Sequence, residues 1–191
     1  MLLETLVEKE EDVTVPGRRW ALQEGYPSEL LEVVVKGVPS MHICLDFLQE
    51  LMQQPSLNKQ IFAIQLLSRL SIQYALPKSL NLCVTALNLL YALLGGISSS
   101  QRVKLFKPVL PALVNISEAF PPLTNDIINL LMQLAKICES QASLASHFDS
   151  QRGTGLEISA EESAELCDLT KKTFADILDR SVLRGTVYRQ E

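Results

Sequence analysis

The stretch Met41-His42-Ile43-Cys44-Leu45-Asp46-Phe47-Leu48-Gln49-Glu50-Leu51-Met52-Gln53 decides the fold. His42, Asp46, Gln49 and Gln53 step by three or four, so on a helix they form one narrow ridge, with most of the remaining surface apolar. A shift of 39 positions carries His42, Asp46 and Gln49 onto Asn81, Thr85 and Asn88, and carries Cys44, Leu48 and Leu51 onto Cys83, Leu87 and Leu90. A further 48 reaches Asn129, Gln133 and Lys136. Between the first two ridges, Asn58, Gln65, Arg69 and Gln73 make another of the same kind. Helices with so little wet surface are expected to be covered by neighbours before and after them. The two offsets lie near the roughly 40 to 47 residues of HEAT and armadillo units. The pattern predicts an all-α chain, a HEAT/armadillo-like α-solenoid of about three helix pairs plus a C-terminal helix. A four-helix bundle with accidental spacing is the competing topology.

Composition agrees with helices. The 191 residues are 47% hydrophobic and only 6% aromatic, with leucine dominant, which disfavours a β-sandwich and excludes disorder along the whole chain. The net charge of -5 is too acidic for phosphate neutralisation to be the main business of the surface, so direct nucleic-acid binding is not expected. Charge is uneven: residues 27–148 carry seven acids and eight bases, against six and three in residues 1–26 and nine and six in residues 149–191. A near-neutral body between two acidic flanks follows.

Prolines, glycines and capping residues cut the chain further. The organisation read from them is an acidic N-terminal segment over 1–26, a solenoid body over 27–148, a flexible link over 149–158 and a C-terminal helix over 159–183, opened by a capping box of Ser159 and Glu162. Pro108 and Pro111 predict a break, giving a pair of short helices over 98–106 and 108–120. Taken alone, residues 25–148 are expected to be helical but to self-associate, because the end of a stack leaves an apolar face uncovered.

No charged residue occurs between Ser79 and Gln101, so a membrane-associated helical protein using that segment as a span is the rival function class. A span is not expected, because Asn81, Thr85 and Asn88 would line up against lipid and Gly95-Gly96 follows at once. The first residues, rich in Glu8, Glu10, Glu11 and Asp12, lack the basic start and apolar run of a secretory signal.

A search for chemistry nominates no catalytic, cofactor-binding or metal residue. Cys44, Cys83, Cys138 and Cys167 have neither zinc-site nor short disulfide spacing and read as free thiols packed as small hydrophobes. His42 with Asp46 lacks an accompanying nucleophile, and no phosphate-cradling or zincin motif occurs. The surface candidates for partner contact are His42, Asp46 and Gln49 on the first ridge, Arg69, and the basic cluster Arg102, Lys104 and Lys107. The cluster lacks interleaved aromatics, so an acidic protein suits it better than RNA.

Several strings, taken in order, resemble a known family. They are Gly25-Tyr26-Pro27-Ser28-Glu29-Leu30-Leu31, Val38-Pro39-Ser40-Met41-His42-Ile43-Cys44, Lys59-Gln60-Ile61-Phe62-Ala63-Ile64-Gln65, Ile72-Gln73-Tyr74-Ala75-Leu76-Pro77 and Ala119-Phe120-Pro121-Pro122-Leu123. Together they resemble the C-terminal region of the Integrator complex subunit 2 family, over roughly residues 25–140. The resemblance implies a nuclear, non-enzymatic scaffold subunit whose partners are other Integrator subunits and, indirectly, RNA polymerase II. It implies a supporting role in small nuclear RNA 3′-end processing and in attenuation of transcription. Members of the family are several times longer than this chain, so a fragment or a short form is expected.

Overall fold

Helix starts and stops follow local chemistry. In the computed structural model, which describes residues 28–148 and 156–187, seven α-helices occur: α1 (Ser28–Gly37), α2 (Leu45–Gln53), α3 (Leu57–Gln73), α4 (Pro77–Gly96), α5 (Ser99–Ala119), α6 (Thr124–Phe148) and α7 (Leu156–Val187). Short 3-10 turns at Met41–Cys44 and Pro121–Leu123 lead into α2 and α6. Pro77 suits the first position of α4, where its missing N–H costs nothing, and the Ser79 hydroxyl accepts from the Leu76 N–H at 2.9 Å. Ser98 and Gln101 cap α5 reciprocally: Ser98 Oγ accepts the Gln101 N–H, and Gln101 Oε1 accepts the Ser98 N–H at 3.3 Å.

The expected break in α5 does not occur: Pro108 and Pro111 lie inside one continuous helix. The prolines deprive the Lys104 and Lys107 carbonyls of their helical donors, but both lysines and Pro111 lie on the exposed stripe, where water can serve instead. Gln65 of α3 also donates its Nε2 to the Pro108 carbonyl at 3.0 Å. Leu105, Phe106, Val109, Leu110, Ala112 and Leu113 are buried on either side of the prolines, and their packing holds the segment in one helix.

Consecutive helices alternate between two layers. The first layer is α2, α4 and α6, each packed on the next; the second is α1, α3, α5 and α7, likewise in series. Helix α3 touches α1, α2, α4 and α5, which explains why Phe62, Ala63, Ile64, Leu66, Leu67 and Leu70 are all buried around it. Helix α4 is long and apolar enough to cross a membrane. Here it packs on α2, α3, α5 and α6 through buried Leu82, Cys83, Ala86, Leu87, Leu90 and Leu94, leaving Asn81 and Asn88 outside.

The C-terminal helix is longer than the sequence suggests, running from Leu156, so that residues 156–158 are helical and Ser159 is not its start. Residues 1–27, 149–155 and 188–191, with the acidic segment and most of the link, lie outside the described residues. Helix α7 is not an appendage. It packs on both α5 and α6 and buries Leu166, Cys167, Thr170, Thr173 and Ile177. Exposed ion pairs Lys107–Glu165 (2.7 Å), Lys171–Glu139 (2.8 Å) and Arg180–Glu118 border that contact. Such pairs contribute little; the buried side chains hold the helix.

Two turns between the layers are built alike. At the end of α2, Gln60 Nε2 donates to the Met52 carbonyl eight residues back and to the Gln54 carbonyl at 2.8 Å. At the end of α4, Arg102 Nε donates to the Leu94 carbonyl, also eight residues back, and Nη2 to the Ile97 carbonyl, both at 3.0 Å. Gln60 and Arg102 each occupy the fourth position of the following helix; the donors and the first acceptors, Met52 and Leu94, are related by a shift of 42, and the second acceptors, Gln54 and Ile97, by 43. The last carbonyls of a helix lack intrahelical donors, and a buried side chain from the next helix satisfies them in both places. The far ends of α3 and α5 repeat as well, with Tyr74 N–H on Leu70 O and Phe120 N–H on Ile116 O, a shift of 46.

Candidate partner surface

The structure separates the sequence candidates. His42, in the 3-10 turn that leads into α2, and Asp46 and Gln49 on α2 itself are exposed. The His42 ring meets Tyr74 edge-on at 5.5 Å, and Asp46 forms an ion pair with Lys78 at the start of α4. The ridges that continue this line, Asn81 and Asn88 on α4 with Asn129, Gln133 and Lys136 on α6, are exposed too. All of them lie on helices of the first layer or, for His42, on the turn that enters α2.

The basic candidates belong elsewhere. Arg69, on α3, is half-buried and near α1, where Glu32 is held below the usual carboxylate range first by its hydrogen bond and charge pairing with Lys36 and, more weakly, by Arg69. Lys104 and Lys107 are exposed on α5, and Lys107 is paired with Glu165. Arg102 is 5% exposed and turned inward to the carbonyls of α4, so the expectation that it joins an electropositive surface patch fails. Its charge suggested surface; its place four residues into α5, beside a helix end that needs donors, fixed it inside. No continuous basic surface joins these four residues.

Sequence reasoning, directed at polar ridges, missed the apolar side chains between them. Ile43 of the turn before α2, Phe47 of α2, Val84 of α4 and Met132 of α6 are each 40–55% exposed. Ile43 and Phe47 stand four residues apart, so helical phase sets them side by side on the flank next to the Asp46 ridge.

Between α4 and α6 runs a groove of about 380 Å³ with Leu87 and Leu123 in its floor and Val84, Asn88, Asn129 and Gln133 along its sides. Tyr91 closes one end, donating its hydroxyl to the Asp126 carbonyl at 2.7 Å. Partial burial raises the Tyr91 phenol, and the Asp126 carboxylate adds to that. Nothing in the groove resembles a nucleophile with its base, and among the described residues no three His, Cys, Asp or Glu side chains converge as metal ligands would.

The thiols follow the packing. All four cysteines are free; Cys83 and Cys138 are fully buried, and desolvation is the first cause that pushes each thiol up to about 11. Because the folded values are raised, the thiols favour the folded state below the unfolded pKa and lose that contribution as pH climbs through the folded one. The melting temperature is therefore expected to fall between about pH 9 and pH 11, and to fall less in a Cys83→Ala/Cys138→Ala variant. Maleimide at pH 8 should label half-buried Cys44 first and leave Cys83 and Cys138 intact until the chain unfolds, read by peptide mass mapping.

Comparison with known proteins now adds to this geometry. A family model described as Integrator complex subunit 2 matches residues 21–143. The chain is 49% identical over 148 residues to Integrator complex subunit 2 of Gallus gallus, with 78% of this chain and 12% of the relative covered. It is 41% identical over 187 residues to that of Homo sapiens, covering 83% of this chain and 15% of the relative. The Drosophila melanogaster protein is 37% identical over 142 residues, covering 74% and 12%. The chain thus spans no more than 15% of the length of these curated relatives.

Proposed function

The chain belongs to the Integrator complex subunit 2 family, and on that premise we propose that it is a non-enzymatic scaffold segment of the nuclear Integrator complex. Its part there is to hold other Integrator subunits in place and so to support small nuclear RNA 3′-end processing and attenuation of transcription, meeting RNA polymerase II only indirectly. The observation that carries the reading is the family match over the body of the chain, residues 21–143. A physical argument supports it. Stacked helix pairs of HEAT or armadillo type reuse one junction, and the paired caps of Gln60 and Arg102, with the alternation of layers, are what such a stack needs. Its work is contact, because an exposed face of carboxamides and scattered apolar side chains offers hydrogen bonds and buried area but no reactive group.

The test is affinity purification of the tagged chain from nuclear extract, followed by mass spectrometry. Other Integrator subunits are expected among the stoichiometric partners, and a double substitution Gln49→Glu/Phe47→Glu on the first-layer face should reduce their recovery while the helical CD signal persists. Recovery of no Integrator subunit by a folded, soluble chain rejects the reading.

A further inference from the structure

The groove between α4 and α6 carries more than a general contact. Its two sides present three carboxamides, Asn88 from α4 with Asn129 and Gln133 from α6, and none of these side chains has a hydrogen-bond partner among the described residues. A carboxamide offers one acceptor and two donors, the complement of a peptide C=O and N–H. An extended strand has those groups free, whereas a helix has already used them internally and would leave the carboxamides unmatched. The floor, made by Leu87 and Leu123, offers an apolar seat for the side chain between.

One acidic and one basic side chain stand along the α6 side, Asp126 in the lining of the groove and Lys136 just outside it. Asp126 lies at one end of the groove, and Lys136 stands on the same ridge of α6, one turn beyond Gln133. Neither is in an ion pair among the described residues, although Asp46 and Glu139, also on first-layer helices, both are. Asp126 and Lys136 are separated by about 15 Å along the helix axis, a span covered by about four to five residues of extended chain. A nucleic acid would set phosphates against Asp126 and is disfavoured.

We infer that this groove seats an extended peptide segment of a partner protein, its backbone amides held by Asn88, Asn129 and Gln133, a basic side chain over Asp126 and an acidic one at Lys136. The inference rests on reading the first-layer face as a protein contact, but it is tested with the purified chain alone. Failure of the nuclear purification and failure of the groove are therefore distinguishable.

The probe is a set of fluorescein-labelled octapeptides in a Ser/Val background, carrying one Arg and one Glu at increasing separation, titrated against the full chain by anisotropy. The tightest binding is expected when the pair is about four to five residues apart, about tenfold over the peptide with both charges replaced by Ser. Asp126→Lys should abolish that preference and favour a peptide with Glu in place of Arg. Asn88→Ala with Asn129→Ala, both exposed positions, should weaken binding about fivefold or more at an unchanged melting temperature. Should Asp126→Lys prove unstable at the start of α6, the isosteric Asp126→Asn reads the same loss. No peptide binding above the uncharged control, a preference unmoved by both Asp126 variants, or tighter binding of a helix-locked peptide overturns the inference.

Discussion

Arg102→Ala is expected to destabilise the chain by about 3 kcal/mol, although the residue looks from its type like a dispensable surface charge. Its guanidinium donates from Nε to the Leu94 carbonyl and from Nη2 to the Ile97 carbonyl, at the point where α4 ends and turns into α5. A charge-assisted hydrogen bond contributes about 1.5–3 kcal/mol net, and two are lost together. The opposing effect is relief of burying a cation whose Nη1 finds no partner, which keeps the sum near 3 rather than 5 kcal/mol. Arg102→Lys should recover less than half, because a single ammonium cannot reach two carbonyls in the fixed fork of a guanidinium. Gln60→Leu, at the corresponding junction after α2, removes neutral hydrogen bonds and should cost about 1–2 kcal/mol. Urea denaturation of the full chain measures all three, and an Arg102→Ala value within about 0.5 kcal/mol of the parent defeats the argument.

That junction also shows what could be read in the sequence and what could not. The offsets of 39 and 48 between polar ridges were legible because exposed residues on helices must keep helical phase, and the ridges do lie on the alternate helices α2, α4 and α6. The shifts of 42 and 46 that relate the turns were hidden, since Gln60 and Arg102 share neither charge nor size. What they share is a buried donor four residues into a helix, a property of the packed junction. Length differences account for the drift: α5 has 21 residues against 17 in α3, an extra turn that contains the prolines. Those prolines misled for a related reason. Proline propensity is local, whereas the continuity of α5 is set by Gln65 and by the apolar face on both sides of the prolines. At the surface, ridge reading found Asn88, Asn129 and Gln133, yet the groove they share with Tyr91 and Asp126 exists only once α4 and α6 are side by side.

A chain ending at residue 148 is expected to lose cooperative folding, the largest single effect considered for this molecule. Sequence composition set the last helix apart, because residues 149–191 are acidic and polar. The packing does the reverse, since α7 covers both α5 and α6. Leu166 and Ile177 are buried in that contact, with Leu169 and Phe174 half-buried beside them. At about 1.5–3 kcal/mol for each fully buried large apolar side chain, these four contribute roughly 5–9 kcal/mol. A domain of this size is held by only about 5–15 kcal/mol in total, so the truncated chain keeps little margin. The lost contact also uncovers the apolar faces of α5 and α6, in addition to Ile43 just before α2 and Phe47 on it, which are already exposed. The truncated chain should retain most of its helical CD signal per residue, because α1 to α6 keep their local sequence signals. It should also scatter light as oligomers at tens of micromolar, by order of magnitude, and melt over a broad range. Cutting instead after Val187 should leave the melt sharp. A monodisperse, cooperatively melting product ending at residue 148 shows that α5 and α6 close their own core, and then α7 is an accessory helix after all.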